Sequence, residues 1–382
     1  MDIKRKIIKT SGYFDYSLLF VIVFLCCFGL VMIYSASYYT AQLKLGNGAY
    51  YMLRQLRVFL LGLVFMLFVS RLDYHKYAKL WPLAWIASTI LMVLTDFTPL
   101  GVELNYSKRW FGISGHALFQ TSELVKIAII LTMAVLLTNM YQHLMERNVI
   151  LLFAALVLIP FILVAKENLS AGIIIFGIAF SMYFVACREW KLFGILVGGG
   201  LIVVIIAVFA TDKLVDAGIL QTYQASRILV WQNPEAYSKS GGYQVLQGLY
   251  AIGSGGLFGK GFGNSVQKLA FLPEAQNDMI FSIICEELGL FGAVCVMLLF
   301  LFLLYRFLVI ANNAPDMLGS MIVIGIMAQI AIQVMMNIAV VTNSMPNTGV
   351  SLPFISYGGT SLLFLLGEMG MVLGVSRKLP VE

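Results

Sequence analysis

The chain has 382 residues, of which 60% are hydrophobic and 12% are charged, and its formal net charge is +6. Soluble domains carry about 25% charged residues, so this composition excludes an ordinary soluble protein. The apolar residues recur in runs of about twenty, and each run can cross the hydrocarbon core of a bilayer as a helix. The sequence therefore predicts an all-α polytopic membrane protein, built as one integral membrane domain over residues 1–382.

About ten membrane-spanning helices are predicted, since about twenty apolar residues are needed for each. In chain order the predicted spans are Tyr16–Ser35, Leu53–Val69, Leu80–Thr95, Glu123–Met140, Val149–Ala165, Leu169–Val185, Phe193–Thr211, Met279–Leu304, Gly319–Val341 and Leu362–Val375. The first run is too long for a cleaved signal peptide, and further spans follow it.

Basic residues indicate the orientation of the chain. Lys4, Arg5, Lys6 and Lys9 precede the first span, and positive charge beside a span favours the cytoplasmic side. An even number of spans then places both termini in the cytoplasm. Because topology explains the basic excess, nucleic acid is not an expected partner.

Cysteine and histidine give no sign of a metal site. The five cysteines lie in or beside apolar runs and are odd in number, which is typical of small core residues. The three histidines (His75, His116 and His143) lack the spacing of zinc ligands.

Two segments between spans are predicted to lie outside the membrane. The large extracellular loop, about 212–278, contains nine glycines between Gly241 and Gly263. Within it, Tyr243–Ile252 is predicted to form a short helix with Val245, Leu246 and Leu249 on its apolar face. So long a loop is more often functional than a linker. The second outer loop, about 343–361, contains turn-forming prolines.

The large loop ends in "FLPEAQNDMIF", which contains Glu274 and Asp278. If the stretch is helical, this spacing places both carboxylates on one face. Two nearby anions raise the proton affinity of at least one, which suits a general base. The alternative is that Asp278 only caps the span that begins at Met279. Lys268 lies just upstream.

A second group of candidates lies in "SKRWF" and "FQTSELVK". Arg109 could bind phosphate while Trp110 rests at the membrane interface. Glu123 and Lys126 are spaced to pair on one helical face, and this pair could be structural or could bind a ligand.

Three more carboxylates fall inside predicted spans. Glu286 and Glu287 need a cation or a wet cavity, and structural pairing is the expected role. Glu368 has no partner visible in the sequence and carries no functional prediction. The glycine-rich loop lacks the serine or threonine that follows the lysine of a Walker A motif, so nucleotide binding is rejected.

Three motifs resemble those of one known family. "NTGVSLPFISYGGTS" (Asn347–Ser361) and "GKGFGNSVQKLAFLPEAQNDMIFSIICEELG" (Gly259–Gly289) resemble two long motifs of the SEDS family, the shape, elongation, division and sporulation proteins. The "RW…Q-x-SE-x-x-K" pattern resembles a third motif. "GLVMIYSAS" and "GNSVQK" are more similar to the cell-division branch, FtsW, than to the elongation branch, RodA.

The resemblance implies a peptidoglycan glycosyltransferase that polymerises lipid II, without a certain cofactor, at the outer face of the bacterial cytoplasmic membrane. Asp278 matches the family's essential aspartate, while Arg109, Glu123 and Lys126 match its third motif. Further substrate-binding candidates, beside Trp110, Lys268 and Glu274, are Arg227 in the large extracellular loop and Gln267, Ser356 and Tyr357 in the motifs. The implied partners are lipid II, a class B penicillin-binding protein and other division proteins.

The sequence departs from the family pattern at several positions. Thr121 replaces a proline, Asn277 a threonine, and Ala270 and Asn168 stand where many members have acidic residues. Roles assigned to those acidic residues cannot be carried over to this chain.

As a hypothesis, Asp278 accepts the proton of the attacking sugar hydroxyl, and Arg109, Lys126 or Lys268 offsets the charge of the departing pyrophosphate. A divalent cation, Mg or Mn, could accompany that pyrophosphate. Two alternatives remain open: a transporter that flips lipid II, and a non-catalytic division scaffold.

Overall fold

The computed structural model describes residues 14–104, 107–113, 116–187 and 222–379, together with the single positions 194, 198 and 199. Apart from those single positions, the predicted span Phe193–Thr211 lies outside the described residues, as do the start of the large loop and the four N-terminal basic residues.

Helices dominate the described part of the chain. They are α1 Tyr16–Leu45, α2 Tyr50–Val69, α3 Tyr74–Ala78, α4 Trp81–Phe97, α5 Thr121–Asn139, α6 Arg147–Glu167, α7 Leu169–Cys187, α8 Thr222–Gln232, α9 Gly242–Gly255, α10 Ile280–Asn313, α11 Met317–Val341 and α12 Gly359–Ser376. Eight of the described helices are long and apolar enough to cross a membrane, and α4 is a shorter apolar helix. The nine predicted spans that fall on described residues each coincide with one of these nine helices.

A three-stranded antiparallel sheet, which was not predicted, joins α4 to α5. Its strands are β1 Gly101–Leu104, β2 Ser107–Ile113 and β3 His116–Gln120. The register pairs Trp110 with Gln120, the residue directly before α5. The sheet therefore brings the "RW" part of the third motif to the start of the helix that carries its Glu and Lys.

The helices divide into a core and a periphery. Most residues of α5, α11 and α12 are buried, whereas fewer than a third of the residues of α2 and α6 are buried. α11 packs against α5, α7 and α10, and α12 packs against α2. In a membrane the exposed apolar faces of the outer helices meet lipid, so the buried helices are the ones that can shape an internal site.

Candidate functional site

Asp278 lies immediately before α10, in a stretch of turns rather than in a helix. Residue Met279 is the N-cap of α10, and no side chain caps the helix. The alternative in which Asp278 serves as the cap is therefore wrong. Glu274 adopts a left-handed backbone (φ 54°), so the two acids are brought together by a turn and not by helical spacing.

The backbone around Asp278 is tied to the second outer loop. Asn337 of α11 donates from Nδ2 to the carbonyls of Asp278 and Val350, at 2.8 Å in both cases. The Asp278 Oδ2 atom lies 3.8 Å from the point that a Cβ on Gly349 would occupy. Gly349 also has φ +67°, a conformation that favours glycine. The loop thus approaches the carboxylate through a residue without a side chain.

The environment of Asp278 favours the neutral acid. The pKa of Asp278 is raised to about 7, mainly by burial and then by the negative charge of Glu274, while the positive charge of Arg227 lowers it. The Oδ1 atom is buried, and within the described chain it has no hydrogen-bond partner. A carboxylate with a pKa near the working pH is suited to accept a proton in catalysis.

Arg227, whose charge acts on this carboxylate, is held by contacts with the second outer loop. Its Nη1 atom donates to the Asn347 carbonyl at 2.6 Å. Asn347 in turn donates from Nδ2 to the Gln244 Oε1 atom at 3.0 Å, and Gln244 reaches the Pro273 carbonyl at 3.4 Å. These bonds join α8, α9, the Asp278 turn and the loop, so the site depends on all four segments.

Glu123 and Lys126 form a second charged group. The Lys126 Nζ atom lies 2.9 Å from the Glu123 carboxylate, and Lys126 is buried. The predicted pairing on one helical face is therefore confirmed. Glu123 also lines a small cavity with Gln329, and Gln329 donates to the buried Glu368 carboxylate at 2.8 Å. The partner of Glu368 that the sequence did not reveal is thus on α11.

Ser356 and Tyr357 link this cavity to the Asp278 turn. Ser356 lines the cavity, and its Oγ accepts from the Leu352 amide at 2.8 Å, which closes a turn of the loop. The Tyr357 amide donates to the Gln276 carbonyl at 2.9 Å, and its ring packs against Tyr51. Residues 343–358 consequently contact both charged groups.

Lys268 is not directed toward Asp278. Its Nζ atom lies 2.7 Å from the Glu287 carboxylate and 2.9 Å from Ser35 Oγ, and the side chain is buried. Its charge is therefore already matched inside the protein. Among the described cations, Arg227 and not Lys268 is the one whose charge acts on Asp278.

Glu286 organises the loop that precedes the acid pair. Its carboxylate accepts from Lys260 Nζ at 2.7 Å, from the amides of Val266 and Gln267 at 3.0 and 3.3 Å, and from the Ser265 hydroxyl. Gln267 therefore serves this carboxylate through its backbone. The structural pairing expected for the two buried glutamates is confirmed.

A break in α10 receives the glycine-rich loop. Gly289 has φ 69° and ψ −167°, which interrupts the helix. The carbonyls of Glu286 and Glu287 accept from the amides of Lys260 and Gly261 at 2.9 and 3.0 Å. The amides of Leu290 and Phe291 donate to the carbonyls of Gly256 and Leu257 at 2.9 and 3.0 Å. The loop thus satisfies the backbone groups that the break leaves free, which a buried break requires.

The helix predicted inside the large loop exists, and of its predicted apolar face only Val245 is fully buried. α9 runs from Gly242 to Gly255, longer than the predicted Tyr243–Ile252. Its buried residues are small: Gly242, Val245, Gly248, Ala251 and Gly255. The predicted apolar residues Leu246 and Leu249 are only partly buried, because α9 packs closely on α10 through its small residues.

Arg109 and Trp110, the remaining candidates, are partly buried on β2. Two contributors that sequence reasoning missed are Asn337 and Ser35. Asn337 is a fully buried amide in an apolar span, and such a residue is a signal of function or of a specific partner. Ser35 gave no comparable signal.

Comparison with known proteins gives the family. Residues 16–380 match a family model described as the FtsW, RodA and SpoVE cell cycle proteins. The chain belongs to this family. Stage V sporulation protein E of Bacillus subtilis is 35% identical over 97% of this chain and 98% of its own length. The probable peptidoglycan glycosyltransferase FtsW of Trichlorobacter lovleyi is 35% identical over 99% of this chain and 97% of its own length.

Solved structures show the same fold. A chain of a peptidoglycan synthase complex, described as coordinating polymerization and crosslinking, matches with a TM-score of 0.76 and 24% identity, over 95% of this chain and 98% of its own length. The rod shape determining protein RodA of Thermus thermophilus matches with a TM-score of 0.68 and 24% identity, over 97% of this chain and 98% of its own length. The predicted family and the predicted polytopic helical membrane fold are both confirmed.

Proposed function

We propose that this protein is a peptidoglycan glycosyltransferase that polymerises lipid II in cell wall synthesis, with Asp278 as the general base. Its membership of the family and the names of its FtsW relatives support the activity. The observation that carries the site is the placement of Asp278, which is partly buried, has a pKa of about 7 and lies under the influence of Arg227.

The reaction requires one proton acceptor and compensation for one leaving group. The sugar 4-hydroxyl of one substrate attacks the anomeric carbon of the other, and its proton passes to Asp278. The new glycosidic bond forms as the bond between that carbon and the pyrophosphate oxygen breaks. Direct attack on an α-linked donor gives a β-linked product by inversion. The lipid pyrophosphate departs with the electron pair of the broken bond.

Cations around the site offset the charge of the departing pyrophosphate. Arg227 is suited to this role because its charge already acts on Asp278. Arg109 and Lys126 contribute from the third motif, whereas Lys268 acts mainly by holding Glu287. Glu274 raises the pKa of Asp278, which makes the ionised Asp278 carboxylate a stronger base toward the substrate hydroxyl.

A divalent cation at this site would be held largely by the pyrophosphate of the substrate. Among the described residues, no group of three or more His, Cys, Asp or Glu side chains is placed to hold a metal. A Mg²⁺ or Mn²⁺ ion would therefore be bound mostly by the pyrophosphate, where it would neutralise negative charge.

The protein would lie in the bacterial cytoplasmic membrane with both termini in the cytoplasm and Asp278 facing outside. It would act with a class B penicillin-binding protein and other division proteins; a similar chain in a complex described as coordinating polymerization and crosslinking supports a crosslinking partner. The FtsW relatives and the "GNSVQK" motif support a role in division.

Reconstitution in vesicles separates the candidate functions. The purified protein, its transpeptidase partner and labelled lipid II should give polymer inside vesicles loaded so that substrate already faces the site. A transporter would instead move lipid II between leaflets without making polymer. A scaffold would do neither, and cells would tolerate Asp278→Ala.

A further inference from the structure

Two layers of polar contacts between α1 and α10 indicate where the hydrocarbon core of the membrane begins and ends. At one end of α1, Asp15 pairs with Arg306 at 2.6 Å, and toward the other end Ser35 donates to Glu287 at 2.6 Å. Both α1 and α10 place about twenty residues between these layers, a distance of about 30 Å at the rise of an α-helix. That equals the thickness of the hydrocarbon core, roughly 30 Å. The Ser35–Glu287 layer therefore lies at the depth expected for one edge of the hydrocarbon, which is the outer edge in the orientation proposed above.

The positions of the exposed apolar side chains on α1 and α10 agree with this placement of the hydrocarbon core. On α10 the exposed large apolar residues begin at Leu290, just after the break, and continue to Leu308. On α1, Tyr34 and Tyr38 are exposed at the level of Ser35, and tyrosines are enriched at membrane interfaces. The break at Gly289 consequently lies where the lipid-facing band of α10 begins.

The glycine-rich loop places its most apolar residues at this level. Leu257 is 65% exposed and Phe258 is 82% exposed. The Leu257 carbonyl accepts from the Phe291 amide at 3.0 Å, so the backbone of the loop is fixed beside the first lipid-facing residues of α10. Leu290 and Phe291 are themselves 54% and 66% exposed. All four apolar side chains are therefore exposed where the backbones of the loop and of α10 are hydrogen-bonded to each other, and together they present an apolar surface.

We propose that Leu257 and Phe258 insert among lipid acyl chains at the outer edge of the hydrocarbon core and anchor the glycine-rich loop to the bilayer. Part of the segment predicted as extracellular is then interfacial. The partner is lipid rather than protein because the surface continues the lipid-facing band of α10 at the same depth. Such anchoring goes beyond the glycosyltransferase proposal and does not rest on it.

The insertion can be measured with a fluorescent label at Phe258→Cys in liposomes. Cys27, Cys187 and Cys295, which are at least partly exposed, are first replaced by serine, whereas the buried Cys26 and Cys285 are kept. Lipids brominated near the glycerol, lipids brominated near the chain end, and aqueous iodide serve as quenchers. Retained thermal stability shows that each labelled variant is folded.

Two reference positions calibrate the result. Leu298→Cys labels the lipid-facing surface of α10 near the middle of the span, and Ser238→Cys labels an exposed polar turn of the large loop. The label at Phe258 should be quenched most by lipid brominated near the glycerol, and iodide should quench it at least about threefold less than at Ser238. A label at Leu257→Cys should behave like the one at Phe258.

Two outcomes would overturn the proposal. Iodide quenching at Phe258 equal to that at Ser238, without quenching by brominated lipid, would place the tip in water, where a protein partner could reach it. Protection of the label at Phe258 from every quencher would show that the protein itself covers Leu257 and Phe258.

Discussion

The pH dependence of polymerisation depends on the environment of Asp278. A general base must be ionised to act, so the rate should rise with pH through the pKa of Asp278, which lies at about 7. About one tenth of the carboxylate is ionised at pH 6 and about nine tenths at pH 8, so kcat/KM should increase about tenfold over this interval. The assay measures lipid II polymerisation at substrate concentrations well below KM.

Glu274→Gln tests whether the rise of kcat/KM with pH reflects the ionisation of Asp278. The negative charge of Glu274 raises the pKa of Asp278, so its removal should lower that pKa and shift the acid limb to lower pH. The variant should then be faster than the wild type at pH 6 and nearly equal to it at pH 8. Glutamine is close in size to glutamate, which limits structural change.

A matched control and the opposite perturbation complete the test. Glu235→Gln removes an exposed carboxylate elsewhere in the same loop and should leave the limb unchanged. Arg227→Gln removes the cation that lowers the pKa of Asp278 and should move the limb to higher pH. A profile that is flat below pH 8, or identical in the wild type and Glu274→Gln, would show that this carboxylate does not control the rate.

Three further predictions concern stability and the approach of the second loop. Since the folded-state pKa of Asp278 is raised, ionisation of this carboxyl destabilises the fold progressively between about pH 4 and pH 7. The Asp278→Asn variant should therefore have a higher melting temperature than the wild type at pH 8 but not at pH 4. An equal change in melting temperature at both pH values would contradict this prediction. Glu287→Gln leaves Lys268 buried without its charged partner and should lower the free energy of unfolding by about 3–5 kcal/mol. Glu286→Gln should have a smaller effect, because its partner Lys260 is one-third exposed. The reverse order of melting temperatures in detergent would be inconsistent with the structure. Gly349→Ala places a side chain at a positive φ and in contact with the Asp278 carboxylate. The activation free energy of the reaction should therefore rise by more than the free energy of unfolding falls. A wild-type kcat would show that the close approach of the second outer loop to Asp278 is unimportant.

Much of the fold could be predicted because membrane insertion imposes a simple rule on sequence. Each predicted span on described residues coincides with a helix, since about twenty apolar residues have few other uses. The sheet β1–β3 was not predicted because its strands have only four to seven residues, whereas hydropathy detects apolar runs of about twenty residues. The break at Gly289 escaped it as well, because the apolar run continues through the glycine.

The candidate site was predicted only in part. Asp278 and its acidic neighbour were found because two carboxylates at the edge of a span are unusual. The turn that joins them, and the choice of Arg227 rather than Lys268 as the neighbouring cation, depend on contacts between residues far apart in sequence. Lys268 is closer to Asp278 along the chain, yet it pairs with Glu287. Proximity in sequence therefore gave the wrong cation.

The most direct test of the proposed general base is polymerisation by the Asp278→Asn protein. Purified with its transpeptidase partner and given labelled lipid II at pH 8, the variant should bind substrate yet form no glycan strands, because the amide cannot accept the hydroxyl proton. Strands formed at the wild-type rate would contradict the assignment of Asp278 as the base.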